Sequence, residues 1–367
     1  MLLIGNDDTA AVLRMPAVID ALERAYRDLA TGDAICRPRI DLRFPTGRPG
    51  EAYQWGTMEG GSASSGYVAI RMKSDVLTEV EYGGTRTQEK HCVAPGTYCG
   101  LVLLLSIRTG EPLALLNDGV LQHMRVGADS AIGTALAARE DARVLGMLGS
   151  GGMARTHLEA LRAVRPFERV QVYSPTRAHR ERYAAEMSEQ HGLEVVAVDE
   201  PRAAFRDADV VTACTDAAAD VVVGDWLEAG THVTAIGGRP DTRAQEVFDV
   251  WLRLGTAPAP VADPTWRPTD EYLAYVARPD DPVWQGHRHG RGRRPPEGPT
   301  GPRVVTYEEV LRGAAVRTSP DQITFSERGN IQGAQFFAVA GLVYELARER
   351  GLGREIPTEW LLQDIRD

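Results

Sequence analysis

RVLGMLGSGGMARTHLEALRAV, residues 143–164, decides the fold. Residues 143–148 form a short apolar run, bounded by the acidic pair Glu140 and Asp141 before it and by glycine after it. Beyond the glycines, Met153, Leu158, Leu161 and Val164 recur close to helical spacing, so the stretch reads as strand, turn and helix. The junction carries Gly149-x-Gly151-x-x-Ala154, the pattern of dinucleotide-binding turns. Gly149 permits the tight turn, Gly151 lets the backbone approach a pyrophosphate, and Ala154 lets the helix pack close to the strand. The helix start then offers unpaired N–H donors and a positive dipole end to that pyrophosphate.

Further along, VQVYSP at 170–175, EVVAV at 194–198, DADVVTACT at 207–215, THVTAIGG at 231–238 and DVWLRL at 249–254 read as five more strands. A polar helix from Thr176 to about Gln190 lies between the second and third. Strands and helices at this spacing predict a Rossmann-type α/β domain, a parallel sheet with helices on both faces. An NAD site commonly ends its second strand on Asp or Glu, which holds the ribose 2′-hydroxyl. This chain has VYSPTRAHR there, with Ser174, Thr176, Arg177 and Arg180, residues that accept a 2′-phosphate through charge-assisted hydrogen bonds. NADP(H) is therefore the expected cofactor, with NAD(H) the alternative. Its binding residues would be Gly149, Ser150, Gly151, Gly152, Met153 and Ala154 in the turn, Ser174, Thr176 and Arg177, then Thr215 and Gly237 after later strands.

The texture before residue 125 is different. Residues 17–30 read as an amphipathic helix, with Val18, Ile19, Ala21, Leu22, Tyr26 and Leu29 on one face. PRIDLRF, EAYQWGTM, YVAIRMKSDV, CGLVLLLSI and PLALLND, all between 38 and 118, read as strands of a separate, mostly antiparallel sheet. Between about 256 and 304 the composition shifts to Pro, Gly, Arg and His, and the segment reads as an insertion, disordered or a surface flap. Residues 336–353 read as a closing helix capped by glycine.

Of the 367 residues, 41 are Lys or Arg and 51 Asp or Glu, a net charge of −10. That balance disfavours nucleic acid and anionic membranes as partners. The longest apolar run, GLVLLL at 100–105, is far short of the ~20 residues that span a bilayer. Asp7 and Asp8 interrupt the N-terminus where a signal peptide needs apolar residues, so a cytoplasmic protein is expected. Cys36, Cys92, Cys99 and Cys214 show no metal-ligand spacing and read as free thiols, with no metal site expected. Lys73 and Lys90 are the only lysines; the other 39 of the 41 basic residues are arginine. A lysine can give up its proton and an arginine cannot, so a lysine in such a chain is a candidate for proton chemistry.

With these residues in hand, the chain resembles the ornithine cyclodeaminase/mu-crystallin family. The stretches that carry the resemblance are NDGVLQHMRVGADSAIGTALAA at 117–138 and MLGSGGMARTHLEAL at 147–161, with THVTAIGG at 231–238 and DQITFSERG at 321–329 in support. The resemblance implies a substrate-binding and dimerisation domain built from residues 1–124 and 320–367, around a Rossmann domain at 125–319. It implies a homodimer and a small amino, imino or keto acid as substrate. Position by position, the family's substrate-carboxylate arginines fall on Arg39 and Arg125. Its strand lysine falls on Lys73 or Arg71, two residues apart and hence on one face of a strand. Lys73 is preferred as the catalytic group, with His91 and His123 as other acid–base candidates.

Two departures matter. Family cyclodeaminases place an aspartate after the glycine pair that here is Gly237-Gly238, whereas this chain has Arg239, and its nearest carboxylate is Asp241. Gln332 and Gln335 stand near the C-terminus where acidic character is expected. The pocket thus suits a neutral or anionic side chain better than a diamine. The expected activity is an NADP(H)-dependent oxidoreductase acting on the C–N bond of a small α-amino or α-imino acid. An ammonia-releasing cyclodeaminase that uses Asp241 and a non-catalytic NADPH-binding protein of the crystallin type are the alternatives.

Overall fold

The structure, a computed structural model, describes residues 1–82, 85–217, 219–259, 272–276, 278, 280–282 and 301–365. Two large sheets share one chain. The first is mixed: Arg39–Pro45, Glu51–Ser62, Tyr67–Tyr82, Cys99–Ser106 and Pro112–Asn117 pair antiparallel in that order. Leu2–Ile4 adds in parallel beside Pro112–Asn117. Thr85–His91 folds back on the outer half of Tyr67–Tyr82 as a hairpin. The helices Met15–Thr31 and Gln332–Glu349, from opposite ends of the chain, pack together on this lobe. Gln332–Glu349 approaches the sheet so closely that a Cβ at Gly60 would lie 2.8 Å from the backbone of Gly333.

The second sheet is wholly parallel. Its order is Glu194–Ala197, Arg169–Tyr173, Val144–Leu148, Val210–Ala213, His232–Ala235, Thr324–Glu327, Val250–Arg253 and Arg303–Thr306. The strand order reverses at Val144–Leu148, and the crevice beyond the carboxyl ends at such a point is where open α/β sheets bind ligands. The strands are continuously apolar because helices cover both faces: Val170, Val172, Val210, Val211 and Val233 are all fully buried.

Three expectations need correction. Residues 324–327, assigned to the substrate lobe, form the sixth strand of the parallel sheet, slotted between His232–Ala235 and Val250–Arg253. The expected boundary at 124/125 falls inside one continuous helix, Gly119–Ala137, which packs on both lobes. The insertion is also more than a surface flap. Its Tyr272–Val276 segment pairs in parallel along the whole of Arg39–Arg43, and Arg303–Thr306 closes the parallel sheet. Most of the insertion's arginines, including 288, 291, 293 and 294, lie outside the described residues. The four cysteines are free thiols.

Candidate active site

The dinucleotide turn has the expected form. Gly149 sits at φ +118°, and a Cβ there would lie 2.2 Å from the Cys214 carbonyl oxygen, so only glycine fits. A Cβ at Gly151 would meet open space, which leaves the backbone accessible at the start of Gly152–Val164. No side chain caps that helix, so its first N–H groups are free to receive a diphosphate. Ser150 donates to Ser174 at 2.9 Å, tying the turn to the end of the second parallel strand. Thr215 and Gly237 come together at the ends of the next strands, where a Cβ on Gly237 would overlap the Thr215 carbonyl. These residues fit a dinucleotide.

Past the second parallel strand the two arginines separate. Arg180 is buried beneath the loop, donating to the Ser174 carbonyl at 3.0 Å and to Asp199 at 2.8 Å. Arg177 stands at the start of Arg177–His191, exposed and held by Glu181 at 2.7 Å.

The mixed-sheet lobe supplies a floor of charge. Strand alternation places Arg39 and Asp41, Gln54 and Gly56, and Arg71, Lys73 and Asp75 on one sheet face. Asp41 and Lys73 are directly opposite Gly56 from its two sides. A Cβ at Gly56 would lie 2.5 Å from Asp41 Oδ1 and 2.9 Å from Lys73 Cε, so the glycine makes room for both. Each cation is braced by its own carboxylate. Arg39 forms a bidentate pair with Asp41 at 2.7 Å, and Asp41 accepts a further bond from Gln54 at 2.8 Å. Lys73 donates to Asp75 at 2.7 Å. Arg71 pairs with Asp118 at 2.6 Å, and a Cβ at Gly100 would overlap that carboxylate. Lys73 is buried, and burial together with the neighbouring Arg39 charge holds its ammonium well below the usual lysine range, against the opposing pull of Asp75.

Arg125, from Gly119–Ala137, closes the floor from above. Its guanidinium lies 4.8 Å from the Phe336 ring centroid, with Arg71 on the same ring at 5.6 Å. It donates to Gln122 at 2.7 Å and to Gln335. Gln335 in turn donates to Asp129 at 2.9 Å and to Tyr26 at 2.6 Å, and Tyr26 donates to Asp129. Burial raises the Asp129 carboxyl above its ordinary range. This network fixes Arg125 without giving it a carboxylate of its own among the described residues. Asp129 also borders a cavity of about 70 Å³ with Thr234, Ser326 and Arg328, at the carboxyl ends of two parallel strands.

Other candidates lie elsewhere. Asp241 caps the helix Thr242–Val247, accepting from Ala244 N at 2.6 Å and Gly224 N at 3.1 Å, so its carboxylate serves the backbone and not a ligand. His91 pairs opposite Val76 and so turns to the sheet face away from Lys73. His123 abuts the phosphate turn: a Cβ at Gly152 would lie 3.3 Å from its ring. Sequence reasoning missed Asp41, Asp75, Asp118 and Asp129, although Asp41 and Asp75 sit two residues from the cations they brace. Among the described residues no cluster of His, Cys, Asp and Glu could hold a metal, and no helix is long and apolar enough to cross a membrane.

Comparison with known proteins agrees with this geometry. An uncharacterized cyclodeaminase, y4tK, of Sinorhizobium fredii is 31% identical over 348 residues, 92% of this chain and 94% of that protein. A delta(1)-pyrroline-2-carboxylate reductase of Bacillus cereus is 36% identical over 237 residues, 65% of this chain and 68% of that one. Among solved structures, the Thermococcus litoralis delta(1)-pyrroline-2-carboxylate reductase in complex with NADH and L-proline superposes with a TM-score of 0.72 at 24% identity, covering 97% of this chain and 100% of that one. Residues 6–249 match the family profile, and the chain belongs to the ornithine cyclodeaminase/mu-crystallin family.

Proposed function

We propose that the protein is an NAD(P)H-dependent oxidoreductase that interconverts a small α-imino acid, or an α-keto acid together with ammonium, and the corresponding amino acid. The observation that carries this reading is the floor of Arg39, Arg71, Lys73 and Arg125, each fixed by a carboxylate or an amide, beside a turn shaped for a dinucleotide. Arg39 and Arg125 bind the substrate α-carboxylate, Arg125 being the one of the two without a carboxylate partner. The Gly149–Ala154 turn would hold a nicotinamide dinucleotide, which in its reduced form would supply the hydride that the α-carbon gains. Lys73, whose proton affinity is lowered by burial and by Arg39, delivers the proton that the imine nitrogen gains, and Asp75 holds the amine in line. Arg71, locked to Asp118, shapes the cationic wall beside it.

NADPH is preferred over NADH. Support comes from the end of Arg169–Tyr173, where Ser174, Thr176 and the exposed Arg177 replace a carboxylate, at the start of a 15-residue helix. The working unit is a homodimer. Strands of the mixed sheet alternate buried with half-buried residues, and Phe44, Trp55, Met72, Leu101 and Leu103 share the open face. The test is loss of NADPH absorbance with α-keto acids plus ammonium and with cyclic imines. Turnover is expected with at least one of them, and absence of turnover in protein that binds NADPH overturns the reading.

A further inference from the structure

The floor holds one more cation than the reaction needs. Lys90 lies on Thr85–His91 directly opposite Leu77, which places it on the same sheet face as Leu77, Asp75 and Lys73. Lys90 therefore extends the row of charges beyond Lys73, toward the hairpin tip. The charged groups that act on it are Arg39, Asp41 and Asp75 from the floor, and Asp216 from the loop that follows Val210–Ala213 in the dinucleotide sheet. Asp216 stands beyond the carboxyl end of Val210–Ala213, so Lys90 lies at the end of the floor nearest the dinucleotide sheet.

Its bonding sets it apart from its neighbours. Arg39, Arg71 and Lys73 each hold an aspartate at 2.6–2.7 Å. Lys90 has no hydrogen bond or ion pair among the described residues. Asp75 is taken by Lys73, and Asp41 by Arg39 and Gln54, which leaves Lys90 opposed only by the exposed Asp216, with no bond between them. A half-buried ammonium beside two further cations gains most from an anion brought in by a ligand. The chain's only two lysines thus share this face, Lys90 standing opposite a residue four positions beyond Lys73, one engaged and one open.

We propose that Lys90 forms a second anion subsite that receives the distal carboxylate of a dicarboxylic α-imino or α-keto acid. Arg125 and Arg39 take the α-carboxylate, and Lys90 reads the far end of the substrate. The inference rests on the oxidoreductase reading above and narrows its substrate class.

The experiment compares oxaloacetate and 2-oxoglutarate with pyruvate and 2-oxobutyrate, each with ammonium and NADPH, in the wild-type protein and in Lys90→Met, Lys90→Gln and Lys90→Arg. The wild type should favour a dicarboxylate by at least tenfold in kcat/KM. Lys90→Met and Lys90→Gln should cut that ratio at least tenfold, mainly through KM, and Lys90→Arg should restore most of it. A second readout is the Tm shift given by succinate and by butyrate on the NADPH-bound protein. Succinate alone should stabilise the wild type, and Lys90→Met should lose the effect. Turnover of pyruvate without any dicarboxylate preference overturns the subsite and leaves the oxidoreductase reading standing. Absence of turnover with every acid, together with a Lys90-dependent succinate shift, does the reverse. No succinate shift in the wild type overturns the subsite whatever the turnover.

Discussion

The two halves of the site are built from different materials. At the dinucleotide turn the groups on offer are backbone N–H donors, and the side chains matter by being small: Gly149 and Gly151 clear the path. On the cationic floor the groups on offer are long charged side chains, and each is fixed by a carboxylate or amide: Asp41 for Arg39, Asp75 for Lys73, Asp118 for Arg71, Gln335 for Arg125. The first kind of site fails when an atom is added. The second fails when a charge or its brace is removed.

The largest expected effect comes from the floor. Lys73→Ala should lower kcat by roughly 10²–10⁴, the usual contribution of a positioned acid–base group, while NADPH affinity stays near that of the wild type. Loss of affinity along with turnover would merge the two halves into one unit. In the turn, Gly149→Ala adds a Cβ against the Cys214 carbonyl at a positive φ, and should cost about 3 kcal/mol of stability and weaken nucleotide binding. Thermal unfolding with and without NADPH reads both.

Two fully buried histidines in the parallel-sheet lobe bear on stability. His157 is held by the Met153 carbonyl and Ser130, and His232 by Thr324 and Ser326. Burial pushes them down to about 4 and about 3, from an ordinary value of 6.5. Both are neutral when folded and protonate once unfolded, so the unfolded chain binds more protons below pH 6.5. Stability should therefore fall as pH drops from 6.5 toward 4, with a slope approaching ~1.4 kcal/mol per pH unit for each histidine. Urea titrations at several pH values measure it, and His157→Gln should flatten the curve.

A smaller effect separates cap from catalyst. Asp241→Ala should cost about 1 kcal/mol of stability through the lost N-cap and leave turnover intact. A collapse of kcat would return Asp241 to the site. Smallest is Arg177→Ala, which should erode the NADPH preference over NADH by roughly fivefold, because its guanidinium is exposed and already shared with Glu181. Equal affinities in the wild type would remove that preference altogether.

How much of this could be read from the chain follows the same division. The turn was legible because its chemistry is local: a strand, two glycines and a helix adjoin in sequence. The carboxylate braces were not, since Asp118 and Gln335 reach Arg71 and Arg125 only through tertiary packing. The helix Gly119–Ala137 shows no polar stripe, because every residue from Met124 to Thr134 is buried, which erases the periodicity that announces a surface helix. Strand Thr324–Glu327 looks like any apolar run, and its place in the middle of the parallel sheet is set by packing. Asp241 did carry a local signal. An Asp directly before a short helical stretch is a common N-cap, and its carboxylate is then already engaged.

The central claim is that hydride passes from the nicotinamide to the α-carbon of an acid held on the cationic floor. The most direct measurement supplies NADPH deuterated at the transferable C4 position and locates the label in the amino-acid product by mass spectrometry. This account predicts one deuterium, on the α-carbon. An amino-acid product formed without label there would contradict it.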